Sequence, residues 1–308
     1  MARILVIRLG ALGDFIQSFG PFAALRAHHP TDHLALLTTA PYLALGTAAP
    51  WFDSVICDPK PRPWQILSLW RLARRLRGFD FVYDLQTSQR SSLYFRLAGR
   101  PPWSGIAPGC SHPHANPARD FMHTRERQRE QLAMAGLRCF PDPDLAWLVA
   151  RSPLLPPSPP YAALIPGAAP RHPAKRWPVA RYAKLAAHLA REGTRPVIAG
   201  GTAERALAQI IRQEVPEAED WTGRTDIFGL ARLLAGASLV IGNDTGPMHL
   251  ATALNRPAIV LFSGASDPAL TAPRYPDGGW PVVLRAEDLS ALPLERVVEA
   301  LAVAHRPR

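Results

Sequence analysis

Three places in the chain set residues capable of acid–base or phosphate chemistry directly after an apolar run and at the head of a helical pattern. The first is the run GALGD, Gly10 to Asp14. Its glycines let backbone approach a ligand closely, and a carboxylate at a helix start is either a capping group or, with a hydroxyl bound beside it, a general base. The run lacks the G-K-[ST] ending of a phosphate-binding P-loop. The second is IPGAAPRHPAKRWP at 165–178, which sets Lys175 and Arg176 just before a helix expected to open at Pro178. An ammonium beside a helix N-terminus suits a phosphate, and a solvated basic loop is the plain alternative. The third is VIGNDTGPMHL at 240–250, where a buried strand runs into Asp244 and Thr245 and a helix opens near Gly246. First-turn amides there would face an anion. Asp244 or Thr245 could equally cap that helix, and His249 could be a core histidine. Glu204, in AGGTAE at 199–204, is placed either to meet ribose hydroxyls or to serve as an ordinary first-turn carboxylate.

These clusters need a scaffold, and the pattern around them supplies one. Short apolar strands are expected at 3–7, 34–38 and 81–85, with helical segments to about His28 and over 64–76 and 90–97. The alternation restarts with strands at 161–165, 196–199, 238–241 and 258–262 and helices at 179–192, 203–213, 227–234 and 246–254. Strands alternating with helices imply parallel sheets covered on both faces, with ligands beyond the carboxyl ends of the strands. Between the two runs, RSPLLPPSPP at 151–160 has five prolines in ten positions, which blocks helix and central strand alike. The chain therefore reads as two α/β domains, 1–152 and 153–308, facing a shared cleft. The last helix, about Ser290 to His305, is expected to be free to pack back on the first domain. Met248 and Trp177 are candidates either for a sugar pocket or for the core.

Composition limits the classes of partner. With 47% apolar and 19% charged residues in 308, the chain can bury two cores. Its three cysteines, Cys57, Cys110 and Cys139, form no C-x-x-C pair, so neither a disulfide framework nor a zinc knuckle is expected, and a reducing cytoplasm fits. No signal-peptide core and no membrane-spanning run is visible. The formal charge is +10, and thirteen basic against four acidic residues lie between Lys60 and Arg129. That stretch is either a solvated face or the dock of an anionic ligand on the first domain. A nucleic acid would be one such ligand, but no aromatic-rich RNA motif accompanies the charge.

Taken together, RLGALGD at 8–14, PGA at 166–168 with KRWP at 175–178, GGTAE at 200–204, and GNDTGPMH at 242–249 followed by ATALNRP resemble glycosyltransferase family nine, the ADP-heptose:lipopolysaccharide heptosyltransferases. The resemblance spans nearly the whole chain in order. It implies a GT-B fold of two Rossmann-like domains and inverting, metal-independent transfer of heptose from ADP-heptose, a substrate rather than a resident cofactor. The acceptor it implies is an anionic lipopolysaccharide precursor at the inner face of the cytoplasmic membrane, with no nucleic acid partner. By the same resemblance Asp14 is the base. Lys175, Glu204, Asp244, Thr245, Gly246 and His249 match the family's donor contacts, and Arg8, Gly13 and Arg62 are candidate acceptor contacts on the first domain. Pro247 and Phe262 to Ala265 depart from the commoner family pattern, which leaves a family member using another nucleotide-sugar as the alternative. A basic nucleic-acid-binding protein or a scaffold would be the alternatives from other classes.

Overall fold

The computed structural model describes residues 1–304, and the chain forms two compact units, Met1–Pro143 and Asp144–Arg308. In the first, β1 (Arg3–Ile7), β2 (His33–Thr39), β3 (Ser54–Asp58), β4 (Phe81–Asp84), β5 (Trp103–Gly105) and β6 (His112–Pro113) form one sheet in the order β3-β2-β1-β4-β5-β6. In the second, β7 (Tyr161–Ile165), β8 (Arg195–Ile198), β9 (Glu219–Asp220), β10 (Leu239–Asn243), β11 (Ala258–Phe262) and β12 (Val282–Arg285) follow the order β12-β11-β10-β7-β8-β9. Every adjacent pair in both sheets is parallel. Counted within its own unit, each sheet has the Rossmann order 3-2-1-4-5-6, whose direction reverses between its first and fourth strands. That switch point falls between β1 and β4 in one unit and between β7 and β10 in the other, so the loops after these four strands are where a ligand belongs.

The central strands are continuous apolar runs because helices cover both faces. Leu5, Val6 and Ile7 of β1 and Ala162, Ala163 and Leu164 of β7 have no exposed surface. Leu5, Ile7, Leu37, Leu72, Tyr94 and Trp103 belong to the first core. The second takes in Leu164, Trp177, Tyr182, Leu185, Ile241 and Leu261. Trp177 and Met248 are both core residues, at 1% and 0% exposure.

Several expected boundaries shift for local reasons. The helical stretch after β1 is two helices, Leu12–Gln17 and Phe19–His28, joined at Ser18. Pro21 has no N–H to donate to the Gln17 carbonyl, and the Ser18 hydroxyl bonds the Asp14 carbonyl at 2.9 Å. The prolines of 151–160 hold no helix or regular strand, yet the division of the chain falls earlier, after Pro143. Helix Ala146–Ala150 packs on helix Ile227–Gly236 of the second unit, where the Trp147 and Phe228 rings meet edge to face at 6.5 Å and Arg232 donates to the Val149 carbonyl. The last helix, Leu294–Ala304, buries Val297 and Ala300 in the second unit's own core, which gives its apolar face an occupant there; His305, its expected end, lies outside the described residues. Helix Thr124–Met134 and strands β3, β5, β6, β9 and β12 were not expected from the sequence.

Candidate active site

In the first unit the loop after β1 turns at Gly10, whose φ of +120° and close approach to the Tyr42 ring exclude a side chain. Tyr42 stacks in turn on Phe15, their centroids 5.5 Å apart. Helix Leu12–Gln17 starts at once, with Gly13 buried in its first turn and Asp14 one residue on. The Asp14 carboxylate accepts the Ala11 N–H at 3.2 Å and faces the Arg8 guanidinium at 3.4 Å, while 44% of its side chain stays exposed. One oxygen of the carboxylate thus serves the helix terminus, and the group still faces solvent.

Arg8 is the hub beneath it. Its side chain is 5% exposed and donates to the carbonyls of Asp14 and of Leu85, the residue just past β4. The Leu9 N–H is held by the Gln86 side chain at 2.8 Å. Asp84 closes β4 and orders the same loop by accepting the N–H groups of Gln86 and Thr87. Burial pushes its carboxyl up to about 6, against those hydrogen bonds and the charge of Arg8. Helix Thr124–Met134 backs the hub: Gln128 donates to the Ser18 hydroxyl at 3.0 Å and Gln131 to the Asp84 carbonyl at 2.9 Å.

Two further cations converge here that the sequence reading did not single out. Burial lowers the pKa of Arg127, with Arg119, Asp120 and Asp14 the charges that act on it, and Arg127 in turn acts on Arg8. Among the described residues no hydrogen bond or ion pair joins Arg62 to this group. Its guanidinium lies 5.3 Å from the Trp64 ring centre, on the exposed approach to helix Ile66–Leu76.

In the second unit the loops after β7 and β10 are tied together by Asn243. Its amide donates to the carbonyls of Pro166 and Gly167, and its carbonyl oxygen accepts the Trp177 N–H at 3.0 Å and the Tyr182 hydroxyl at 3.1 Å. With that frame set, Lys175 reaches across to Asp244, Nζ to Oδ2 2.5 Å. The same carboxylate oxygen accepts the Ser266 hydroxyl at 2.7 Å, so a residue after β11 joins the site as well. Thr245 and Gly246 open helix Gly246–Ala253. The Thr245 hydroxyl turns to the Asn243 carbonyl rather than to the helix amides, leaving the first turn without a side-chain cap. His249 is buried one turn on, at 6% exposure.

Glu204 ends a short 3-10 turn after β8, and its carboxylate accepts the Gly201 N–H at 2.8 Å. It packs so tightly on Gly167 that a side chain at 167 would collide with it. The carboxylate thus sits between the glycine loops of β7 and β8. Lys175, Asp244, Thr245, Gly246 and Glu204 all lie past the carboxyl ends of β7, β8 and β10. Among the described residues no group of three or more His, Cys, Asp or Glu is arranged to hold a metal ion.

Sheet order and switch-point loops define two Rossmann-like units, each with its candidate ligand residues past the carboxyl ends of its central strands. Residues 69–278 match glycosyltransferase family 9 (heptosyltransferase), and the chain belongs to that family. Over 106 residues, 33% of this chain and 30% of the relative, it is 38% identical to lipooligosaccharide heptosyltransferase 2 of Haemophilus influenzae. It is 28% identical over 301 residues to lipopolysaccharide heptosyltransferase 2 of Salmonella typhimurium, covering 88% of this chain and 85% of that one. The fold is similar to that of the solved ADP-heptose lipopolysaccharide heptosyltransferase II of E. coli, with a TM-score of 0.77, 24% identity and 98% of each chain covered.

Proposed function

We propose that this enzyme is an inverting heptosyltransferase that moves heptose from ADP-heptose to an inner-core lipopolysaccharide acceptor at the inner face of the cytoplasmic membrane, without a metal ion. The observation that carries the reading is the Lys175–Asp244 pair beside the uncapped first turn of helix Gly246–Ala253, with Glu204 close by for a ribose. The names of the relatives supply the sugar and the acceptor.

In this reading the acceptor hydroxyl attacks the anomeric carbon from the face opposite ADP. Asp14 takes the hydroxyl proton as the new C–O bond forms. The bond from the anomeric carbon to the distal phosphate oxygen breaks, and its electron pair leaves with ADP. Charge growing on that phosphate is met by the Lys175 ammonium and the N–H of Gly246, both fixed before the reaction starts and therefore needing no reorganisation. Asp244 holds the ammonium in place. Arg8, Arg119 and Arg127 supply positive potential for the acidic groups of the acceptor, and Gly13 permits its close approach.

The test is a thermal-shift panel of ADP, UDP, GDP and CMP, with and without magnesium. Selective stabilisation by ADP, unchanged by magnesium, is expected, on the order of 2.7 kcal/mol at a hundredfold excess over Kd. Preference for UDP or GDP would keep the enzyme class and overturn the donor. Transfer is then followed directly with ADP-heptose and a lipopolysaccharide precursor.

A further inference from the structure

Helix Ile66–Leu76 carries two apolar faces, and only one has a protein partner. Leu72, Ala73 and Leu76 are buried against the first unit's core. On the other side Ile66 is 77% exposed, Leu67 59% and Trp70 53%, and Trp64, two residues before the helix, is 69% exposed. A surface helix of a soluble unit ordinarily keeps its outer face polar. Four large apolar side chains within seven positions form a contiguous edge, which marks an interaction surface rather than scattered exposure.

The charges around this edge select its partner. From Lys60 to Phe79 the chain has Lys60, Arg62, Arg71, Arg74, Arg75 and Arg77 and no carboxylate. All six side chains are exposed. Arg62 lies over the Trp64 ring at 5.3 Å and Arg74 over the Trp70 ring at 4.8 Å, so the cations sit at the margin of the apolar edge with their stems along it. We infer that this edge docks on an anionic lipid bilayer. Ile66, Leu67, Trp64 and Trp70 enter the boundary between headgroups and acyl chains, and the arginines lie level with the lipid phosphates. A second copy of the edge would bring like charges together. An apolar protein groove would cover the side chains but leave the surrounding cations unmatched. The inference gives the membrane contact in the function proposed above a place in the fold and rests on that reading only for its purpose.

Co-sedimentation of the full chain with vesicles tests it without turnover. The vesicles are phosphatidylcholine alone and phosphatidylcholine with about 30% phosphatidylglycerol. Binding at least about tenfold tighter to the anionic vesicles, weakening as salt rises, is expected. The triple variant Ile66→Ser, Leu67→Ser, Trp70→Ser should lose about tenfold or more of that affinity while keeping its unfolding temperature, because these side chains face outward. Arg71→Gln, Arg74→Gln, Arg75→Gln should erase the preference for anionic lipid. Equal binding by the apolar variant, or no binding by the native chain, overturns the inference. So does a native dimer that the apolar variant turns into a monomer, which would give the edge to a second copy. Turnover of a water-soluble acceptor separates the two readings. Failed vesicle binding with native turnover intact overturns docking alone, and absence of transfer from ADP-heptose overturns the transferase reading instead.

Discussion

The Lys175 ammonium and the Asp244 carboxylate, 69 positions apart in sequence, meet at 2.5 Å beside the first turn of helix Gly246–Ala253. Neither charge is exposed: the lysine side chain is 19% and the aspartate 6% accessible. The carboxylate fixes where the ammonium points, so in the proposed function the donor diphosphate meets a cation that is already oriented.

Replacing Lys175 by Ala is accordingly expected to lower turnover by about 10² to 10³, the usual loss when one fixed donor to a developing charge is removed, and to weaken ADP binding. Asp244→Asn retains an acceptor for Ser266 but not the ion pair, so it should raise KM for the donor more than it lowers kcat. Steady-state kinetics with varied donor separates the two.

Asp14→Asn keeps an oxygen to accept the Ala11 N–H and removes the base. Turnover should fall by at least ~10². ADP affinity, measured by calorimetry, should not change. Near-native turnover would take Asp14 out of the reaction.

Asn243 makes four hydrogen bonds with no exposed surface. Asn243→Ala strands the Trp177 backbone N–H and leaves the Tyr182 hydroxyl only the Ile165 carbonyl at 3.3 Å, at a cost of about 1 to 3 kcal/mol. Urea unfolding reads this directly, and the loss of ADP affinity should accompany it because both site loops hang on this one side chain.

Asp84 predicts a pH dependence of stability. Burial raises its carboxyl to about 6 in the folded chain, against about 3.9 when unfolded. Between these values the folded state holds a proton that the unfolded chain has released, so this group's contribution to stability falls as pH rises from about 4 to 6 and is level above. The window is worth on the order of 3 kcal/mol. Asp84→Asn should remove the slope. Comparing native and variant unfolding free energies at pH 4, 5, 6 and 7 (about one-unit steps across the titration) checks it, and parallel curves would contradict it.

Much of the scaffold could be read from the chain because the strands that build it are unbroken apolar runs. Tyr161–Ile165 and Ala258–Phe262 are strands at the expected positions. The strands that escaped notice are edge or near-edge pieces: β5, β6 and β9 have three, two and two residues, too few to show a period, and the edge strands β3 and β12 are half-buried along most of their length, so neither alternation nor a buried apolar run marks them. Helix Thr124–Met134 escaped for a different reason. Its inward face is Thr124, Gln128, Gln131 and Leu132, so its inner and outer sides are both polar and no hydrophobic stripe betrays it.

Within the site, residue types were legible and partnerships were not. Asp14, Lys175 and Asp244 announce themselves by following strands, whereas the Lys175–Asp244 pair and the Asn243 hub depend on β7 lying next to β10. The charge excess of residues 60–129 also proves to be two features in the fold. Arg71, Arg74 and Arg75 stand on an exposed helix, while Arg127 is partly buried and its charge acts on Arg8.

The repeated strand order has an evolutionary corollary. The Arg8 hub draws Leu85, Gln86, Ser18 and Gln128 from its own sheet and helices, and the Asn243 hub draws Pro166, Gly167, Trp177 and Tyr182 from its own. Mutations that retune one recognition surface leave the wiring of the other untouched. In the function proposed above, such a chain can drift toward new acceptors while its donor is kept, or exchange donors while its acceptor is kept, and chimeras joined after Pro143, ahead of helix Ala146–Ala150, should retain the nucleotide preference of the half that carries Asn243.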